Sequence, residues 1–248
     1  MNVVVASSRG RDLKKWLPKV STVSVNPGAT YKVLAEQALG ILPPPYSATE
    51  QCHVYVVGGI PDISEKVKSK SRHYHYLEFI FTREPDDVFE KVKQEIMACQ
   101  SKIMSKGALP IFATIPKFHL ETYNNTMLKH HKTSFHLHRE FYPDMQSRLN
   151  STIDKINDFI CQLNRRQRVS IPFLHTTIMK RRGRKNHSYY IYHWHLFDDG
   201  LHPSDQLKEQ WASSISAAIN KNRAKDDSDS DPHSPKRSWL REKRPRYH

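Results

Sequence analysis

The sequence predicts an α/β fold with a mostly parallel central sheet. Three short runs rich in β-branched residues occupy residues 3–5, 20–25 and 53–57, and each run ends in a turn of small residues. Segments with a helical spacing of apolar residues follow the first two turns. Strands that alternate with helices form parallel sheets covered on both faces, and such sheets bind ligands beyond the carboxyl ends of their strands. We therefore expect functional residues in the turns.

The remaining elements follow from the same patterns. Apolar residues at spacings of three and four predict a helix that starts at Pro85 and ends before Gly107. In chain order the sequence predicts a helical segment ending at residue 17, a helix over 30–39 closed by the prolines at 43–45, a strand over 74–81, a helix over 85–103, a strand over 109–115, an irregular histidine-rich segment over 119–138, a helix over 143–163, a strand over 169–174, and a helix over 205–219 capped by Ser204.

Composition narrows the class of protein. The 248 residues carry a formal net charge of +14, which favours contact with polyanions such as nucleic acid, phospholipid head groups or acidic substrates. No stretch of about eighteen residues is apolar and uncharged, so we expect a soluble intracellular protein, cytoplasmic or nuclear. The three cysteines lack disulfide-framework or zinc spacing. We expect a folded domain over residues 1–220 and a disordered charged tail over residues 221–248.

Ser8 is the candidate nucleophile. It lies where the first strand turns into a helical segment, and N–H groups at the start of a helix stabilise developing negative charge. Asp199 and His202 are three residues apart near the other end of the chain, so a carboxylate could lie behind an imidazole that takes the serine proton. Ser7 stays open as an alternative nucleophile, and Asp198 as an alternative carboxylate.

Four segments resemble, in the right order, the sequence blocks of the SGNH (GDSL-type) hydrolases. They are residues 5–13, which contain Ser8; residues 27–30, which contain Gly28; residues 57–63, which contain Gly59; and residues 199–204, which contain Asp199 and His202. The last segment is the most specific match. Residues 110–116 also resemble the strand and proline that precede the variable region of the family, so the resemblance extends over roughly residues 2–219.

The resemblance implies a fold, a reaction and a role for each residue. The fold would be a three-layer α/β/α sandwich with a mostly parallel sheet, similar to flavodoxin. The reaction would be that of an esterase or deacetylase acting through an acyl-serine intermediate. Ser8 would attack, His202 would act as base and then acid, and Asp199 would orient the imidazole. Backbone N–H groups of Ser8 and Gly28, with Gly59 as a further candidate, would stabilise the oxyanion, and neither metal nor organic cofactor is implied.

Two residues depart from the family pattern. Ser7 stands where the family has an aspartate before the nucleophile. Pro61 stands where the family has an asparagine that donates to the oxyanion, and proline has neither that side chain nor a backbone N–H. Losing one oxyanion donor costs about 3 kcal/mol, or roughly a hundredfold or more in rate. The sequence therefore also allows a hydrolase-like domain that has lost its activity.

A basic segment supports that alternative, a degenerate domain that binds DNA or RNA. Its cations precede an aromatic run and are Lys180, Arg181, Arg182, Arg184 and Lys185. Cations beside aromatic rings suit a surface that follows phosphates and stacks bases, although a solvated hairpin loop gives the same pattern. Domains resembling this family also occur in genes of mobile elements and viruses. The histidines over residues 119–138 and at 193 and 195 lack the spacing of a zinc site, so no metal is predicted.

Overall fold

The computed structural model describes residues 1–17, 21–42, 51–70, 75–130, 138–183 and 189–229. The strands are β1 (Asn2–Ala6), β2 (Ser21–Val25), β3 (Cys52–Val57), β4 (Glu65–Lys70), β5 (His75–Ile80), β6 (Ala108–Phe112), β7 (Met179–Arg182) and β8 (Tyr189–Tyr192). The α-helices are α1 (Tyr31–Ile41), α2 (Ile60–Ile63), α3 (Pro85–Met104), α4 (Leu120–His130), α5 (Tyr142–Arg166) and α6 (Asp205–Asp229). Short 3₁₀ helices cover Ser8–Gly10, Leu13–Lys15, Arg139–Phe141, His175–Ile178 and Trp194–Leu196.

Four strands form the central sheet in the order β2-β1-β3-β6, and every neighbouring pair is parallel. β1 and β3 occupy the middle and are buried along their whole length. Because parallel strands need both faces covered, continuous β-branched runs such as Val3–Val5 belong in the middle of such a sheet. The predicted α/β class with a mostly parallel sheet is confirmed.

Helices cover both faces of this sheet, which gives three layers. Val3 and Val5 of β1 point to one face, where they join a core formed with α1, α3 and α5. Val4 and Ala6 point to the other face and join a second core built largely by α6. This alternation is the two-residue period of a strand. No helix in the described part of the chain is both long and apolar enough to cross a bilayer.

Two antiparallel hairpins lie outside the central sheet. β4 pairs with β5, and β7 pairs with β8. β5 corresponds to the strand predicted over residues 74–81, of which residue 74 lies outside the described residues. β4 was not predicted, because its lysine-rich residues lack an apolar alternation.

Two predicted elements were wrong. The segment 119–138 is not irregular, since α4 occupies Leu120–His130, and residues 131–137 lie outside the described chain. Its buried face contains Asn124, whose amide exchanges two hydrogen bonds with the backbone of Phe79, so a polar residue interrupts the apolar pattern. Residues 169–174 form no strand. Thr114 N–H bonds the carbonyl of Pro172, and a proline has no N–H with which to continue a ladder.

The predicted boundary between domain and tail was also too early. α6 runs to Asp229, nine residues beyond residue 220, so residues 221–229 are helical rather than disordered. Asn222 shows why the helix continues. Its buried amide bonds the hydroxyl of Tyr55 in β3 and the backbone of Ser170, which ties this turn of the helix to the sheet. Two further predictions fall outside the described residues. They are the prolines at 43–45 that would end the helix before them, and the rest of the predicted tail over residues 230–248.

Candidate active site

One pocket lies at the carboxyl-terminal edge of the parallel sheet. Its volume is about 110 Å³, and its lining includes Ser8, Gly28, Ile60, Pro61, Leu201 and His202. Residues 8, 28 and 60 follow β1, β2 and β3, and parallel connections bring the carboxyl ends of those strands to one edge. Ser8 and His202, nearly two hundred positions apart in the chain, therefore line the same small space.

His202 and Asp199 form the pair that their spacing predicted. His202 Nδ1 lies 2.7 Å from Asp199 Oδ2. Asp199 Oδ1 accepts hydrogen bonds from the N–H groups of Leu201 at 2.9 Å and of His202 at 2.6 Å. Burial by itself raises the pKa of Asp199, but these hydrogen bonds outweigh burial and hold the pKa below its usual value. The carboxylate is ionised at neutral pH and fixes the imidazole.

Gly200 sets the shape of the loop that carries this pair. Its φ is +85°, and a Cβ atom there would lie 2.9 Å from the His119 carbonyl oxygen and from the Tyr123 nitrogen. The Gly200 carbonyl accepts a hydrogen bond from His119 N–H at 3.0 Å. Only glycine combines this dihedral angle with such a close approach, so the residue between Asp199 and His202 anchors their loop to the start of α4.

Arg9, next to the candidate nucleophile, was not predicted as a site residue. Its guanidinium is buried, with Nε donating to the Leu201 carbonyl at 3.0 Å and Nη1 donating to the Pro116 carbonyl at 2.8 Å. Three aromatic rings lie 5.4 to 5.8 Å from the guanidinium, those of Phe118, Phe197 and Trp211. Burial lowers the pKa of Arg9 to about 9, opposed by the nearby Asp199 charge, so the side chain stays charged at neutral pH. Arg9 therefore connects the Ser8 turn to the His202 loop.

Arg9→Met is expected to lower stability by about 3–5 kcal/mol, because it leaves two buried carbonyl groups without donors and each such group costs about 1–3 kcal/mol. For a chain of this size the melting temperature should fall by roughly 10 °C. Arg11→Met, at an exposed neighbouring position, is the matched control. Urea unfolding of the two variants measures the difference, and a cost for Arg9→Met within about 1 kcal/mol of the control contradicts the assignment.

Backbone N–H groups near the pocket can donate hydrogen bonds to a developing negative charge. Among the described residues, the N–H groups of Ser8, Gly28 and Gly59 donate no hydrogen bond to any other group. Gly28 lines the pocket, and its φ of +75° is a backbone conformation that favours glycine. Gly59 does not line the pocket, but Ile60 and Pro61 do. Gly59 as an oxyanion donor stays a prediction.

Asp62 holds the turn that contains Gly28 against the turn after β3. Its Oδ2 accepts from the N–H of Tyr31, the first residue of α1, at 3.1 Å. Burial raises the pKa of Asp62 to about 7, partly opposed by the hydrogen bond from Tyr31. The neighbouring charges contribute less, with Glu95 raising the pKa and Lys91 lowering it.

Asp62→Asn is expected to remove a pH dependence of stability. Because folding raises this pKa from 3.8 to about 7, the folded chain binds the proton more tightly between those values. The contribution of Asp62 to stability therefore falls as the pH rises from about 4 to 7, by roughly 2–4 kcal/mol, and is constant above pH 7. Asparagine keeps the acceptor for Tyr31 without the charge, so the stability of the variant relative to the parent should be higher at pH 8 than at pH 5 by roughly 2–3 kcal/mol.

Urea unfolding at both pH values measures this effect. Asp87→Asn, at an exposed position of α3, is the control because it removes an equal charge from the surface. A difference between parent and Asp62→Asn that is the same at pH 5 and pH 8 refutes the role given to the carboxyl.

The other predicted residues have distinct positions. Ser7 is 1% exposed and is not part of the pocket lining, whereas Ser8 is partly exposed and lines the pocket. Asp198 is exposed, and its N–H bonds the His202 carbonyl. The basic segment begins on β7, which pairs with β8 in a hairpin, and its exposed residues there are Lys180, Arg181 and Arg182. The other two residues of the segment, Arg184 and Lys185, lie outside the described residues. No cluster of three potential metal ligands occurs among the residues that the structure describes.

Comparison with solved structures agrees with the sequence resemblance. A protein from Bacteroides fragilis proposed to be an acylhydrolase matches with a TM-score of 0.53 and 12% identity, over 89% of this chain and 86% of that chain. A GDSL-like lipase from Bacteroides thetaiotaomicron matches with a TM-score of 0.53 and 11% identity, over 89% and 87%. A protein from Desulfitobacterium hafniense proposed to belong to the lipolytic G-D-S-L family matches with a TM-score of 0.50 and 14% identity, over 88% and 98%.

The chain therefore has the fold of the SGNH hydrolases. No protein-family model matches its sequence, and no curated protein matches it significantly. At identities this low the likeness concerns the fold, and function has to be argued from the residues of this chain.

Proposed function

We propose that the protein is a serine hydrolase that cleaves esters of short acyl groups through an acyl-serine intermediate. One observation carries the proposal. Ser8, Gly28 and His202 come from three separate loops and line one pocket, and His202 is already hydrogen-bonded to a partly buried carboxylate. A nucleophile, a base and a residue that orients the base are the parts that acyl transfer requires.

The reaction follows from these positions. His202 donates its Nδ1 proton to Asp199, so Nε2 has the free electron pair that accepts the Ser8 hydroxyl proton as Oγ bonds the acyl carbon. The proton then passes from His202 to the leaving alcohol as the ester bond breaks. Water attacks the acyl-serine in the second half, gives a proton to His202, and that proton returns to Ser8 as the acid departs.

Pro61 limits the expected rate. It lines the pocket but offers no hydrogen-bond donor, so the oxyanion lacks the side-chain donor that the family pattern has at this position. One missing donor corresponds to a rate roughly a hundredfold or more below that of a complete oxyanion hole. We therefore expect slow turnover, with the acyl-serine intermediate still formed by Ser8, His202 and Asp199.

The size of the pocket favours short acyl groups. Its volume of about 110 Å³ is well below the roughly 300–1,000 Å³ of pockets that enclose drug-sized ligands. A space of this size accommodates an acetyl group, whereas a long acyl chain would extend beyond it.

Hydrolysis of p-nitrophenyl acetate and octanoate, together with fluorophosphonate labelling, tests the proposal. We expect kcat/KM for the acetate to exceed that for the octanoate by at least about tenfold, because forcing a longer chain into a small packed pocket costs roughly 1–3 kcal/mol. Mass spectrometry of the labelled protein should place the phosphonate on Ser8. Failure to hydrolyse any acyl ester, or a label on another residue, overturns the proposal.

The β7–β8 hairpin carries a second candidate function, binding of single-stranded nucleic acid. In its register Lys180 pairs with Ile191 and Arg182 pairs with Tyr189, so cations lie opposite apolar side chains on one face. Tyr189, Tyr190 and Ile191 are 60%, 56% and 41% exposed. Residues 179–192 include no acidic residue. Exposed rings beside cations support base stacking along a phosphate chain.

Fluorescence anisotropy with single-stranded DNA and RNA, titrated with salt, tests this second function. The double variant Lys180→Gln with Arg182→Gln should flatten the plot of log affinity against log salt by up to about 1.4, since each phosphate contact to a single strand contributes roughly 0.7. Lys102→Gln with Lys106→Gln removes equal charge from the end of α3 and is the control. Equal slopes in the two double variants, or no binding at low salt, refute this function.

A further inference from the structure

Lys66 lies on the wall of the candidate active site. It is the second residue of β4, it pairs with Phe79 of β5, and both side chains line the pocket. The Lys66 ammonium lies 5.2 Å from the centre of the Phe79 ring. The ring of Phe79 packs edge-on against Tyr123, with centroids 4.8 Å apart, and the Tyr123 ring lies 6.3 Å from the ring of His202. Two aromatic rings therefore form the wall between the ammonium and the imidazole.

The ionisable groups of this pocket give it a positive character. Arg9, Lys66 and His202 belong to its lining, and no carboxylate does. Arg9 donates from Nε and Nη1 to two buried carbonyl groups, so these two atoms are not available to a ligand. Asp199 is engaged by His202 and by the backbone of its own loop.

Unlike Arg9, whose guanidinium donates to two buried carbonyl groups, Lys66 has no ion-pair partner among the described residues. Its side chain is exposed, and no carboxylate of the described residues lies within 4 Å of its ammonium. Its neighbour Glu65 pairs instead with Arg83 at 3.1 Å. The ring of Phe79 attracts the ammonium without cancelling its charge. A cation held in this way beside a small pocket is available to a negative group of a bound molecule.

We propose that Lys66 determines substrate specificity, and that the site prefers short acyl esters whose alcohol portion carries a carboxylate or a phosphate. This inference rests on the proposed hydrolase function and specifies its substrate class. The acyl group occupies the pocket beside Ser8, and the anionic portion extends along the Phe79 and Tyr123 rings to the ammonium. Lys66 adds binding energy for the charged ester alone, since a neutral ester offers it no partner.

Three acetyl esters of one phenol skeleton test the inference: 4-acetoxybenzoate, 4-acetoxyphenyl phosphate and the neutral methyl 4-acetoxybenzoate. The ratio of kcat/KM for each anionic ester to that for the neutral ester should fall about fivefold in Lys66→Gln, the upper range for an exposed ion pair. Lys66→Arg should retain the ratio, and added salt should reduce it in the parent. The two anionic esters show whether carboxylate or phosphate is preferred.

Lys106→Gln is the matched control, because Lys106 is exposed just before β6, at the opposite end of the sheet from the pocket, and carries the same charge. An unchanged ratio in Lys66→Gln overturns the inference, and so does an equal loss with the neutral ester. Calorimetric binding of 4-acetoxybenzoate to Ser8→Ala, with and without Lys66→Gln, needs no turnover. If no ester is hydrolysed, the proposed function fails, and this measurement still decides whether Lys66 recognises the anion.

Discussion

Ser8→Ala is expected to lower kcat for short-chain esters by about 10⁵-fold and to abolish fluorophosphonate labelling. In the proposed mechanism the hydroxyl oxygen of Ser8 bonds the acyl carbon, so no acyl-enzyme would form without it. Residual hydrolysis would come only from binding and the backbone N–H groups, as when a serine hydrolase loses its nucleophile. Stopped assays with p-nitrophenyl acetate and mass spectrometry of the treated protein measure the two effects. Stability should hardly change, because Ser8 lies at the surface of the pocket.

Ser7→Ala is the matched control for this experiment. Both substitutions remove one hydroxyl from the same turn, but Ser7 is 1% exposed and outside the lining of the pocket. Its N–H bonds the Val57 carbonyl, so it continues the contact between β1 and β3 and keeps its backbone role as alanine. Ser7→Ala should retain labelling and most activity. Loss of labelling in Ser7→Ala with retention in Ser8→Ala would exchange the roles of the two serines.

The sequence predicted the sheet and the position of the pocket because both depend on local patterns. Continuous β-branched runs such as residues 3–5 indicate strands buried on both faces, and the helices between them require parallel connections. Parallel strands then bring the turns after residues 6, 25 and 57 to one edge. The spacing of Asp199 and His202 similarly predicted their contact, since both residues belong to one short loop.

The roles of residues whose partners are distant in the sequence could not be predicted from local patterns. Arg9 looks like an ordinary basic residue in a turn, and its role depends on carbonyl groups at positions 116 and 201 and on three rings far away in the sequence. Lys66 belongs to a strand without an apolar alternation, so neither the strand nor its pairing with Phe79 could be predicted. Long-range packing decides which cations become buried or face a pocket, and local periodicity does not report it.

Pro61 illustrates how a local departure is accommodated by the fold. It lies in the single-turn helix α2, where a proline in the first turn loses no helical hydrogen bond. The turn keeps its attachment to α1 through Asp62, whose carboxylate accepts from Tyr31 N–H. The turn therefore keeps its structure without the asparagine that the resemblance assigns as an oxyanion donor, and under the proposed function we expect a reduced rate rather than reduced stability.

Asp199→Asn is expected to lower kcat by about 10³–10⁴-fold without unfolding the loop. Asparagine can keep its carbonyl oxygen toward the N–H groups of Leu201 and His202, which now bond Asp199 Oδ1. Its amide nitrogen then faces His202 Nδ1 and donates to it, so the ring proton moves to Nε2. A ring protonated at Nε2 cannot accept the Ser8 proton, and ester hydrolysis at pH 7 measures the loss.

Asp198→Asn separates this tautomer effect from a simple loss of charge near the pocket. Asp198 is adjacent and exposed, and its contact to the loop is made by its backbone N–H, so the substitution removes the same charge and leaves the ring of His202 paired. Activity should stay within about threefold of the parent, because a solvated charge is screened. Equal losses in the two variants would mean that His202 responds to the general potential of the loop, and Asp199 would no longer be the residue that orients the base.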